Sequence, residues 1–302
     1  MFFSLGKSAG RIVFRVGAFQ EHPDDGKGKI KMLDQRQMQK LKDHQEKVAL
    51  EHSRVDLPVT MTTETYSNRD AVLEMDIWHP NPQDFPGLRP GILLFFGGGF
   101  ILGTRKSFQK HCEALARQGY VAITSDYRIT SLHGTSAEES CLDGAEAWRY
   151  VLANGDRWSM DRTHVALGGQ SAGGMVAVMC GRLTGIQPLG YVLFNPGILN
   201  HEMGPERLSR LTGKEVEGIP MLHTRHAKTG DPPVLVMHGG KDTTVPVEHA
   251  QAYVADAQEK GVDATLILYP EATHGLGEYN NDRAYYFLCL GETLRFLERI
   301  NS

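Results

Sequence analysis

From Gly91 onward the chain alternates short apolar runs with longer stretches in which apolar and polar residues recur at helical spacing. Gly91–Phe96, Val121–Ser125, Val165–Leu167, Tyr191–Phe194, Val234–Met237 and Ala264–Tyr269 are nearly continuous apolar runs, as expected of strands covered on both faces. Between and after them, Ser107–Arg117, Ala137–Leu152, Ala172–Arg182, Pro246–Lys260 and Ala284–Ile300 read as helices. Gly119 closes the first, and the fourth has Pro246 in its first turn and Gly261 just past its end. Strand and helix in repeated alternation predict an α/β fold with a doubly wound, mostly parallel sheet. Upstream, Val59–Tyr66 and Ala71–Trp78 carry the alternation of half-buried strands, with Ser67–Asp70 between them, and predict a hairpin at a sheet edge. Pro and Gly residues from Pro82 to Pro90 then mark a loop.

Two intervals fall outside this rhythm. Residues 1–55 are polar and form an N-terminal extension in which Leu33–Glu51 has the composition of one polar helix. Residues 195–232 lie between two strands, are rich in Pro and Gly, and show only a short helical patch at Glu206–Leu211. An insertion of that length predicts a small cap on an α/β domain spanning residues 56–302. The segment His22–Ile30 resembles the start of a calcium loop, but Pro23 and Lys27 stand where oxygen ligands are needed.

Composition narrows the partners. A net charge of -4 over 302 residues, with no basic cluster beyond patches such as Lys27–Lys31, gives no electrostatic case for nucleic acid or an anionic membrane. Cys112, Cys141, Cys180 and Cys289 are widely spaced, which argues against a zinc site and offers no disulfide framework. Buried free thiols are the expectation. Lys7, Arg11 and Arg15 interrupt the first residues, which makes a poor secretory signal and favours the cytoplasm over export. The polar N-terminal helix leaves a homodimer open.

The candidate chemistry centres on Gly169-Gln170-Ser171-Ala172-Gly173, set between a strand and a helix. A strand-turn-helix this tight tolerates only glycine at Gly169 and Gly173 and points the apical serine out above the sheet. A serine hydroxyl needs a general base, itself oriented by a carboxylate. The loops after the last two strands contain Asp242 and His274, in the order serine, acid, histidine. His238, at a strand end, reads as a structural imidazole; Glu248 and Glu271 are weaker candidates for the acid. Gly97-Gly98-Gly99 follows the first parallel strand, where backbone amides can face a developing oxyanion, so the amides of Gly98, Gly99 and Ala172 are the expected donors. Phe100 and Gln170 flank these elements and are expected beside the substrate. Asp126 and Arg128 read as a structural ion pair.

Together, Phe96-Gly97-Gly98-Gly99, Gly169-Gln170-Ser171-Ala172-Gly173-Gly174, Asp242 and His274 resemble the α/β-hydrolase superfamily, in its hormone-sensitive-lipase-like and acetyl-esterase branches, over roughly residues 56–302. Ser125-Asp126-Tyr127-Arg128 and His133-Gly134-Thr135 resemble segments of the acetyl-esterase group. The resemblance implies hydrolysis of small-molecule esters, often acetylated sugars, with no cofactor. Two departures, Phe96 for the usual histidine before the triplet and Gln170 for the usual aspartate before the nucleophile, tilt the likeness toward the acetyl esterases. With Phe96, rigidity of the glycine loop must come from packing. A serine carboxylesterase acting on acetyl to butyryl esters is therefore expected. The alternatives are a prolyl-oligopeptidase-like peptidase and a catalytically silent hydrolase scaffold used for binding. An apical serine excludes the usual dehalogenase and epoxide hydrolase chemistry.

Overall fold

The computed structural model describes residues 30–32, 57–198 and 227–302. The expected helix over Leu33–Glu51, the Glu206–Leu211 patch, most of the cap interval and all but the last residue of the calcium-like segment lie outside them.

Among the described residues the strands are β1 (Ile30–Met32), β2 (Thr60–Ser67), β3 (Leu73–His79), β4 (Arg89–Phe95), β5 (Val121–Ser125), β6 (Met160–Gln170), β7 (Tyr191–Phe194), β8 (Val234–Gly239) and β9 (Ala264–Tyr269). They form one sheet in the order β1-β9-β8-β7-β6-β4-β5-β3-β2. Only β3 runs against its neighbours, so the sheet is mostly parallel and ends in the expected edge hairpin, with Thr60 opposite His79. The outer strand β2 is largely exposed along Thr60–Thr63, and its threonines and Glu64 keep that edge polar. The helices are α1 (Gln109–Ala116), α2 (Thr130–His133), α3 (Ala137–Asn154), α4 (Ala172–Thr184), α5 (Val247–Glu259) and α6 (Arg283–Ile300). Ser136 and Glu139 form a reciprocal capping box that starts α3, and Asp282 caps α6.

The period-two alternation of the central strands divides the core. Leu93, Phe95, Leu167, Leu193 and Val236 face α3, α4 and α5, where Trp148, Val176 and Tyr253 lie. Ile92, Leu94, Val192, Phe194 and Met237 face α1 and α6, with Leu115, Tyr286 and Leu297. All four cysteines are free and buried in helices, and burial pushes their thiols up, so they behave as small apolar side chains.

Several features differ from what the sequence predicts, among them the helix α2. Strand β6 begins at Met160 rather than Val165, because its first turn of chain is partly exposed and carries Asp161, Arg162 and Thr163, which hide an apolar run. Strand β1 pairs with β9 through three residues, too few to show a period. Asp126 and Arg128 do not pair with each other. Asp126 pairs with Arg105, while Arg128 donates through Nε and Nη2 to the two oxygens of Asp143 on α3, both at 2.9 Å. The guanidinium fork matches a carboxylate presented end-on by a helix.

Candidate active site

The parallel strands all end on one side, and the site is built there. Strand β6 delivers Ser171 into a backbone conformation of φ 50° and ψ -120°, strained for any residue with a Cβ. Close approach explains the flanking glycines. A Cβ on Gly169 would stand 2.3 Å from the Gly173 carbonyl oxygen, and one on Gly173 would stand 2.1 Å from that of Phe95. The turn is held by Ser171 N donating to Phe194 O at 3.0 Å, and by the amides of Gly174 and Gly197 donating to Ser171 O at 3.0 and 2.9 Å. Helix α4 starts at the next residue and points its amide end, the positive end of its dipole, toward the nucleophile.

His274 joins the two remaining groups. Its Nε2 lies 3.0 Å from Ser171 Oγ and its Nδ1 lies 2.7 Å from Asp242 Oδ2. Because Asp242 can only accept, Nδ1 carries the proton and Nε2 is free to take one from the serine, which is the tautomer a general base requires. The Asp242 side chain is fully buried. Its Oδ1 accepts from the amides of Thr244 and Val245 at 2.8 and 2.9 Å, and its Oδ2 lies between two imidazoles, with His238 Nε2 at 3.3 Å. Burial works to raise the Asp242 carboxyl, but hydrogen bonds from His238, His274 and Val245 outweigh it and hold the group well below the usual carboxylate range. His238 donates from Nε2 to Val245 O at 3.0 Å and so braces the acid loop. Of the weaker acids, Glu271 pairs with Lys241 at 2.5 Å.

The glycine loop passes directly over the nucleophile: a Cβ on Gly97 would stand 3.2 Å from Ser171 Cβ. Gly98 and Gly99 have φ of 125° and 63°, and Gly98 O accepts from the amides of Ile101 and Leu102 to close a tight turn. The expected compensation for Phe96 is present and includes a polar part. Its ring stacks on Tyr127 at 4.1 Å with planes 8° apart, and Tyr127 Oη donates to Phe96 O at 2.7 Å. Farther along, Thr130 N donates to Phe100 O at 2.8 Å and Ser131 N to Ile101 O at 3.1 Å, so α2 props the loop from outside. Arg105 closes it, bound to Glu74, Asp76 and Asp126.

Phe100 and Gln170, expected beside the substrate, are engaged with the protein. Phe100 is 3% exposed, its ring tilted on Tyr127 at 6.5 Å. Gln170 is 6% exposed and donates from Nε2 to Glu278 Oε1 at 2.7 Å, with His274 O at 3.4 Å. The residue before the nucleophile therefore ties the elbow to the histidine loop. Tyr127, Thr130, Arg105 and Asn195 escaped the sequence reading as parts of the site. For Asn195 a signal existed, an amide ending an otherwise apolar strand run.

Comparison with known proteins places this geometry. The BD-FAE family matches residues 75–195, the segment bearing the glycine loop and the nucleophile. The prolyl oligopeptidase family matches residues 208–297, the segment bearing the acid and the histidine. Esterase LipC of Mycobacterium tuberculosis is 27% identical over 233 residues, 67% of this chain and 56% of that protein. Ethyl acetate hydrolase of Pseudomonas putida is 30% identical over 139 residues, 45% of this chain and 42% of that protein. The chain thus spans about half the length of these curated relatives. The apo form of esterase 2 from Thermogutta terrifontis superposes with a TM-score of 0.72 at 27% identity, covering 81% of this chain and 96% of that one. The chain has the α/β-hydrolase fold of these esterases, and Ser171, His274 and Asp242 are arranged in the geometry of a serine-hydrolase triad.

Proposed function

We propose that this chain is a serine carboxylesterase that cleaves short-chain acyl esters through an acyl-enzyme. The observation that carries the reading is the hydrogen-bonded series Ser171 Oγ, His274 Nε2, His274 Nδ1 and Asp242 Oδ2, at 3.0 and 2.7 Å. Ser171 attacks the ester carbonyl while His274 takes its proton, and Asp242 stabilises the imidazolium that forms. The amides of Gly98, Gly99 and Ala172 receive the oxyanion, and each such donor is worth about 3 kcal/mol in the transition state. His274 then gives the proton to the departing alkoxide. Water, activated by the same imidazole, releases the acid and restores the serine.

Short acyl groups, acetyl to butyryl, are the favoured substrates, with acetylated carbohydrates the first natural class to try. The Thermogutta terrifontis esterase has been solved with propionate and with butyrate bound, which supports a short acyl limit here. A second reading, a prolyl-oligopeptidase-like peptidase, draws on the family match over residues 208–297 and on a rice acylamino-acid-releasing enzyme that is 26% identical over 226 residues. The intact triad speaks against a silent binding scaffold. Hydrolysis of p-nitrophenyl esters from acetate to decanoate, beside N-acetyl-aminoacyl p-nitroanilides, separates the readings. Turnover should peak at two to four acyl carbons and be negligible on the anilides; dominant anilide cleavage would transfer the assignment to the peptidase.

A further inference from the structure

Two of the triad's three loops are held by one residue, and the third by its neighbour; that residue neither acts in the chemistry nor touches its reacting atoms. Asn195 follows β7, is fully buried, and sits at φ 39°, in the left-handed region that asparagine tolerates better than most residues. Its neighbour Phe194 accepts the Ser171 amide at 3.0 Å, which ties this point to the nucleophile. The Asn195 side chain carries the other two. Nδ2 donates to His274 O at 2.6 Å and reaches Thr273 O at 3.3 Å, so it holds the main chain of the base. Oδ1 accepts from Gly239 N at 2.8 Å, and Gly239 O in turn accepts from Asp242 N at 3.2 Å, so the same amide holds the strand end that carries the acid. Only one orientation of the amide satisfies these contacts, because the carbonyls demand a donor and the Gly239 amide an acceptor.

His274 stands on irregular chain between β9 and α6, with no ladder of its own to fix its backbone. An imidazole must nonetheless keep two hydrogen bonds at once, one to each partner, and a displacement of about 1 Å can cost roughly 100-fold in rate. We propose that Asn195 is a positioning residue that sets the His274 imidazole between Ser171 and Asp242. Gln170 Nε2, approaching the same His274 carbonyl at 3.4 Å, is the weaker second support.

The proposal rests on the serine-hydrolase reading of the site and is tested separately from it. Steady-state hydrolysis of p-nitrophenyl acetate is measured for the full chain, for Asn195→Ala and Asn195→Ser, and for His274→Ala with and without Asn195→Ala, with folded protein quantified by circular dichroism. Asn195→Ala should lower kcat roughly 10- to 100-fold with KM within about threefold of wild type. In the His274→Ala background the same change should cost less than about twofold, because there is no base left to position. Asn195→Ser, which retains a small donor and acceptor, should fall between wild type and alanine and serves if alanine does not fold. An unchanged kcat in the variants overturns the proposal, and so does an equal loss with and without His274. If Ser171→Ala retains activity, the serine reading itself has failed; if it abolishes activity while Asn195 shows no coupling to His274, only this inference falls.

Discussion

Gly173→Ala adds one methyl group at the contact between the two halves of the proposed oxyanion hole. Its Cβ would stand 2.1 Å from Phe95 O and 2.3 Å from Phe96 O, whereas ordinary contact begins at about 3.4 Å. Both neighbours are backbone atoms, so no rotamer change relieves the clash, and the elbow and the β4 terminus must separate by roughly 1 Å. One side of that gap carries the Ala172 amide and the other leads into Gly97-Gly98-Gly99. The substitution should therefore lower kcat by about 100-fold while leaving KM within severalfold. Overpacking should also cost about 1–3 kcal/mol of stability, read as a fall in the urea midpoint. Gly185→Ala is the control. That residue closes α4 at φ 71° with nothing within 4 Å of a built Cβ, so alanine there should cost about 1 kcal/mol of backbone strain and leave kcat unchanged. A Gly173→Ala enzyme with kcat within threefold of wild type would refute the argument from close approach.

Two further substitutions test the supports of the site. Tyr127→Phe keeps the ring stacked on Phe96 but leaves the Phe96 carbonyl without its donor; it should cost about 1–3 kcal/mol of stability in urea and lower kcat more than it raises KM. Asp242→Asn should lower kcat on the order of 10⁴-fold, because an amide favours the wrong imidazole tautomer. It also carries a pH signature. The Asp242 carboxyl is held below its unfolded value of about 3.9, so its contribution to stability is full above that pH and is lost as pH falls toward the folded value. Wild type should thus exceed Asp242→Asn by about 2 kcal/mol at pH 7, and the gap between urea midpoints should narrow below about pH 4.

Much of the sheet was legible because its strands are apolar on both faces and its helices are marked by caps and glycines. Tyr191–Phe194 and Ala264–Tyr269 coincide with β7 and β9, since turn residues bound both runs sharply. The turn at Ser171 was legible for a different reason: its sharpness demands glycines at fixed offsets, and those offsets are local. What holds the triad was not. The bond from Tyr127 to Phe96 spans 31 positions and that from Asn195 to His274 spans 79, and nothing in either residue's own neighbourhood announces its partner. Asp126 and Arg128 show the opposite error. Opposite charges two residues apart suggested a pair, yet Arg105 and Asp143, distant in sequence, offered each a better geometry.

Ser171 as the nucleophile of an ester hydrolase is tested by p-nitrophenyl acetate hydrolysis with wild type and with Ser171→Ala at equal concentrations of folded protein. The expected result is steady turnover by the wild type and a loss on the order of 10⁴-fold or more in the variant, with its circular dichroism unchanged. Comparable turnover by Ser171→Ala, or none by the wild type on any ester, would contradict the claim.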